Sequence, residues 1–199
     1  MFDDGSDDCG PLCGLAGSQN LTPQAEWDTL TPTCQGALQT AVPKTTIGGM
    51  VASLNRAFAA QSTLIDAVKG TSISWDMLAA VGIRESAFVD KNENDGAGIG
   101  VGIFQISVPA SGLTASQAGD LTTAASYAAN LLNSDMKTLA AEFPGFTSGQ
   151  LLQATAASYN FGTTNISGNP ATIDVGSAPY PKAPGNYGSN IVNLMDCFH

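Results

Sequence analysis

One glutamate stands where a charge is hard to place. The run Ala79-Ala80-Val81-Gly82-Ile83-Arg84-Glu85-Ser86-Ala87-Phe88 is apolar and helix-like, and Glu85 closes it. A carboxylate in such surroundings is costly unless it has a partner or a task. Burial disfavours the charged form, so its pKa is expected to rise. A carboxylic acid that stays protonated near neutral pH is what cleavage of a glycosidic bond needs from its general acid. The structural alternative is a glutamate paired with Arg84 or Arg56, and Arg84 is a poor partner because adjacent residues on a helix do not face each other. A second carboxylate would decide the reaction. Inverting hydrolysis needs a base across the ring, with the carboxyls roughly 6.5–9.5 Å apart. Asp90, Glu93 and Asp95 all follow Glu85 in a short polar stretch. Asp95, inside Asn94-Asp95-Gly96, also reads as a plain turn residue.

The elements that must position these groups are mostly helical. Apolar spacing predicts a helix from Ile47 to Val68 through Met50, Leu54, Phe58, Leu64, Ile65 and Val68. Ser74 is a fitting N-cap for the helix from Trp75 to about Phe88. That helix is apolar on most faces, the signature of a central, buried one. Residues 89–100 read as a loop or short hairpin, and Val101–Ser107 as a strand- or turn-like run. Helices are expected over Thr122–Phe143, Ser148–Asn160 and Tyr187–Met195, with a Gly- and Pro-rich loop between Thr163 and Tyr187. Residues 1 to about 36 read as loop or arm, although Thr22-Pro23 could open a short helix there. The expected organisation is a cysteine-containing N-terminal arm over 1–44 and one catalytic-sized domain over 45–199.

Composition narrows the classes of partner. The 199 residues carry a net charge of −10 with only seven Lys and Arg. Seven cations cannot build a phosphate-neutralising surface, so no nucleic-acid partner is expected. Nor does the charge favour an anionic membrane or wall. No run approaches the roughly 18 apolar residues of a membrane span. Asp3, Asp4, Asp7 and Asp8 make an acidic start that reads as a solvated tail. Four cysteines, Cys9, Cys13, Cys34 and Cys197, allow three pairings. With His199 the sole histidine, disulfides in an oxidising compartment are the better reading than zinc. Cys34 with Cys197 would staple the arm to the C-terminus, and Cys9 with Cys13 would close a small loop. Met1-Phe2-Asp3-Asp4 offers no basic n-region or apolar h-region. The expectation is a secreted, extracellular or periplasmic monomer, supplied as a fragment of a larger precursor or exported by another route.

Three separated segments together resemble one family. Gly82–Phe88 resembles the Glu-Ser-x-Phe end of the catalytic helix in goose-type lysozymes and lysozyme-like lytic transglycosylases. Gly100-Val101-Gly102-Ile103-Phe104-Gln105-Ile106 is similar to that family's Gly-Leu-Met-Gln-Ile/Val segment, and Ala156-Ala157-Ser158-Tyr159-Asn160-Phe161-Gly162 to its Ala-Tyr-Asn-x-Gly segment. Asn186–Val192 is a weaker fourth match, to the terminal tyrosine-containing helix. The matches run in the family's order over about residues 71–196. The resemblance implies a mainly α, α+β lysozyme-like fold, whose central buried helix carries the catalytic glutamate beside a small β or loop insert. It implies peptidoglycan strands as substrate, no cofactor and no metal, and Glu85 as general acid at the β-1,4 bond. Asp95 would be the second catalytic carboxylate, while Ser107 stands where a further aspartate is often found. Ser86, Ile103, Gln105, Tyr159, Asn160 and Tyr187 would line or tune the glycan cleft. Two other readings follow: a transglycosylase giving 1,6-anhydro products, and a non-catalytic glycan-binding module. The acidic arm and cysteines would also fit the toxin part of a larger exported protein with an immunity or inhibitor partner.

Overall fold

Seven consecutive residues, Met77 to Ile83, are all buried, and five of the described helices pack around the helix that holds them. The seven form the middle of α5 (Trp75–Ser86). Full burial of each large side chain in this run (Met77, Leu78, Val81, Ile83) is worth about 1.5–3 kcal/mol. The computed structural model describes residues 21–94, 99–174 and 186–199. Cys9, Cys13, Asp95 and the acidic start lie outside the described residues.

In chain order the helices before α5 are α1 (Pro23–Thr29), α2 (Pro32–Ala41), α3 (Ile47–Ala59) and α4 (Gln61–Val68). After it come β1 (Asn92–Asn94), β2 (Ile99–Val101) and β3 (Ile106–Ser107), an antiparallel sheet in the order β1-β2-β3. Asn92 pairs with Val101, and Val101 with Ile106. Two short helices, α6 (Val108–Ser111) and α7 (Ala115–Gly119), lead to α8 (Leu121–Glu142), α9 (Ser148–Phe161) and α10 (Tyr187–Met195). The described fold is therefore mainly helical with one small β insert. α10 packs on α9, α2 and α5, while α4 bridges α8 and α5.

The short helix that Thr22-Pro23 suggested is α1, and the loop otherwise expected up to about residue 36 is corrected by α2, which starts at Pro32. Thr22 and Thr31 each stand in extended backbone, accept a backbone N–H three residues on, and precede a proline at the first helical position. That Thr-Pro start fixes φ and satisfies an orphan donor at once. Trp27, Leu30, Cys34, Ala37 and Leu38 then enter the common core. The single helix expected over Ile47–Val68 is two, broken at Ala60. Ser74 has the extended backbone of an N-cap but makes no side-chain cap bond; instead Asp76 Oδ1 accepts the Met77 N–H at 2.9 Å.

One disulfide is present among the described residues, Cys34–Cys197. It fastens α2 to the 3-10 turn Asp196–Phe198 that follows α10. Phe198 packs tilted against Phe58 and edge-on against Trp75, 5.2 Å from each ring centroid, so the same turn also seals the start of α5. No described helix is long and apolar enough to cross a membrane.

Candidate active site around Glu85

Glu85 sits in the last turn of α5, half-buried, just before a tight reversal of the chain. Ala87 and Phe88 both have φ near +56°. Left-handed backbone costs a non-glycine residue about 1–2 kcal/mol, so two in succession need support. Ala87 N–H donates to Ile83 O at 2.8 Å, and Phe88 N–H to Gly82 O at 3.0 Å. Arg56 reaches across from α3, its Nε donating to Phe88 O at 3.1 Å and its Nη2 to Ala87 O at 2.7 Å. A cation there meets the negative end of the helix dipole. The Phe88 ring lies against α5 because Gly82 has no side chain; a Cβ on Gly82 would stand 2.7 Å from the ring and 3.0 Å from Ile103. Ser86 is buried and committed to the same turn, its Oγ donating to Gly82 O at 3.0 Å and accepting from Val89 N–H at 3.1 Å. Such strained turns concentrate at functional sites.

Two tyrosines converge on this helix end. Tyr187, the first residue of α10, is buried, and its hydroxyl donates to Glu85 Oε1. Its ring lies 5.5 Å from the guanidinium carbon of Arg84. Arg84 in turn donates to Thr40 O at 2.9 Å, Asn190 Oδ1 at 3.3 Å and Asn186 Oδ1 at 3.5 Å. Neighbouring residues of α5 thus hold opposite parts of one side chain, Arg84 the ring and Glu85 the hydroxyl. Burial pushes the Tyr187 hydroxyl well above the usual tyrosine pKa; the charge of Glu85, its hydrogen bond and Tyr159 add to this, against Arg84. Tyr159, on α9, is pushed well up by burial, then by the charge of Glu85, then by Tyr127 of α8. Both therefore stay neutral hydrogen-bond donors across the physiological range.

The β insert joins the site through Tyr159, whose hydroxyl donates to Phe104 O at 2.8 Å. Phe104 is fully buried and meets Phe88 edge-on at 6.5 Å. Gln105 occupies left-handed backbone at φ 48°, and its amide nitrogen donates to Lys91 O at 2.9 Å and Gly102 O at 2.7 Å. Both amide hydrogens thus brace the turn. Ile103 is half-buried against the core, Asn160 is exposed at the end of α9, and Ser107 is exposed on β3.

Of the three carboxylates considered for the second role, two fall among the described residues. Asp95 lies outside them. Glu93 pairs through its backbone with Gly100. Asp90 is exposed and lines a groove of about 600 Å³ with Lys91, Asn92, Ser116 and Asp120. Among the described residues no group of three or more His, Cys, Asp or Glu side chains is placed to hold a metal ion.

The structure thus brings Glu85, Tyr187, Tyr159 and the Gly102–Gln105 turn together, and leaves Asn160 exposed at the edge. Sequence reasoning missed the buttressing role of Arg56, the grip of Arg84 on Tyr187, and Tyr127. Only the pairing of a basic residue with a helix C-terminus has a general sequence signal, and Arg56 acts on another helix than its own. No family model matches the chain, and no curated protein matches it at a significant level.

Proposed function

We propose that the protein cleaves the β-1,4 bond between N-acetylmuramic acid and N-acetylglucosamine in peptidoglycan, as a lysozyme-like muramidase with Glu85 as general acid. The observation that carries this reading is the Tyr187–Glu85 hydrogen bond at the end of a buried helix. A neutral donor on one carboxyl oxygen orients the acid, and positioning of this kind is a large part of general acid catalysis. In the reaction, Glu85 gives its proton to the bridging O4 as the C1–O4 bond breaks. Water then adds at C1 and releases a proton to solvent, leaving a reducing muramic end, and the Glu85 carboxylate takes up a proton again from solvent. Tyr159 ties the Gly102–Gln105 turn to the same site, which is how the insert would form a cleft wall. The resemblance of the three sequence segments supports the substrate class.

Ser107 favours a second route for the same acid. Where an aspartate would activate water, a serine is a far weaker base. The 6-hydroxyl of the muramic residue then closes on C1, its proton passing to the Glu85 carboxylate, and gives a 1,6-anhydro product. Digestion of purified sacculi by wild type and Glu85→Gln, read by mass spectrometry, tests the proposal. Muropeptides from wild type and none from the variant are expected. Glycan binding by wild type without any product would make the domain a binding module instead.

A further inference from the structure

The N-terminus of α10 is capped from a distance. Its own N-cap residue, Asn186, makes no side-chain cap bond. Asp174, buried at 5% exposure, fills that place from the segment after the 3-10 turn Pro170–Thr172. Its Oδ1 accepts the Gly188 N–H at 2.6 Å, and its Oδ2 accepts the Ser189 N–H at 3.0 Å. The Gln153 amide of α9 donates to Oδ2 at 2.7 Å. A carboxylate at a helix N-terminus answers both the orphan N–H groups and the positive end of the dipole. The approach is close enough to require glycine at 188, since a Cβ there would stand 2.3 Å from Gln153 O and 2.6 Å from Asp174 Oδ1. The residue immediately before Gly188 is Tyr187.

We infer that Asp174 is a positioning residue for the acid: by clamping the first turn of α10 against α9, it holds the Tyr187 hydroxyl on Glu85. The inference rests on the general-acid reading of Glu85 for its catalytic consequence, though not for the clamp itself. Aligning a phenol on a carboxylate takes sub-ångström placement of the helix that carries it. Two of the three donors to Asp174 are the N–H groups of the residues directly after Tyr187. Removing the negative charge at 174 loosens the turn, and loosening the turn takes the donor away from Glu85. Other groups lie around Glu85: Tyr159 from α9 with Tyr127 of α8 behind it, Arg84 on its own helix and bound in part to Asn186 and Asn190, and Arg56 of α3 at the two carbonyls that follow.

The test follows the Glu85 side-chain carboxyl by carbon-13 NMR titration in the full chain, assigned by its loss in Glu85→Gln. Losing a donor to the charged form favours the neutral one. Tyr187→Phe therefore moves the titration midpoint upward, Asp174→Asn moves it part of the way in the same direction, and the double variant goes no further than Tyr187→Phe. An unmoved midpoint in Asp174→Asn or in Tyr187→Phe overturns the inference, as does a double variant whose shift is the sum of the two. A merely structural aspartate would lower Tm and leave the midpoint alone. If Asp174→Asn does not fold, Gln153→Ala removes one donor from Asp174 and is read in the same way. Digestion of sacculi by the same wild-type sample keeps the two ideas apart. Midpoint shifts without any wall products would leave the clamp standing and remove the catalytic role, while products without shifts would do the reverse.

Discussion

The Cys34–Cys197 bridge should be the largest single contributor to stability that can be removed without touching the site. The two sulfurs join residues 163 apart, α2 at one end and the turn after α10 at the other. A closed loop of that length removes enough freedom from the unfolded chain to be worth about 5 kcal/mol at 25 °C in the chain-entropy model. Domains of this kind have total stabilities of roughly 5–15 kcal/mol. For a chain of this size each kcal/mol moves Tm by about 2–4 °C, so the loss should be about 10–20 °C. The perturbation is the paired substitution Cys34→Ala with Cys197→Ala, which leaves Cys9 and Cys13 in place and puts no hydroxyl where both sulfurs are buried. Thermal unfolding by far-ultraviolet circular dichroism compares it with the oxidised wild type. A double variant melting within about 3 °C of wild type would refute the reasoning, because it would mean that the helices around α5 hold α2 and the C-terminal turn together unaided.

Other consequences concern charge and protonation. Asp135 on α8 is raised above the usual aspartate range by burial, against the Ser158 hydroxyl that lies 2.8 Å from its Oδ2. Its ionised form is therefore the disfavoured one in the fold, and the fold loses stability as pH rises through the raised pKa. Asp135→Asn, whose amide can donate to Ser158, should raise Tm near neutral pH and give no gain in acid, as melts across pH would reveal. Tyr159 and Tyr187 are raised, so their contribution is intact below the ordinary tyrosine pKa of 10.0 and fades above it. Tyrosinate absorbance should show a component that ionises only as the alkaline protein unfolds and that is missing from Tyr159→Phe with Tyr187→Phe. Arg56→Gln removes the exposed cation that holds Ala87 O and Phe88 O. A loss of about 1 kcal/mol in urea unfolding is expected, in the range for a net hydrogen bond.

Much of the frame was legible because its signals are local. Tyr187–Met195 is a helix with the bounds the sequence suggested, and α8 and α9 differ from expectation by only a residue or so at each end. Their caps are sequence neighbours, as in the Thr147–Gln150 capping box that opens α9. Thr31-Pro32 carried the same kind of signal for α2 and was hidden by the polar composition around it. The break at Ala60 has no glycine or proline to announce it, and tertiary packing of α3 and α4 on different neighbours decides it. Around Glu85 the residue types were readable but not their pairings. Tyr187 touches Glu85 across 102 residues of sequence, and Asp174 caps a helix that begins 13 residues later. No periodicity encodes such contacts. Ser86 and Gln105 show the converse, since polar side chains picked out by their types turn out to brace backbone at the helix end and the insert turn.

The general-acid role of Glu85 is tested most directly by the muropeptides that the purified protein releases from sacculi. The wild type should yield products ending in reducing or 1,6-anhydro muramic acid. Glu85→Gln keeps the shape and a hydrogen-bond acceptor for Tyr187 but cannot deliver a proton, so it should fold with an unchanged melt and release nothing above background. Equal product from the folded Glu85→Gln protein would contradict the account.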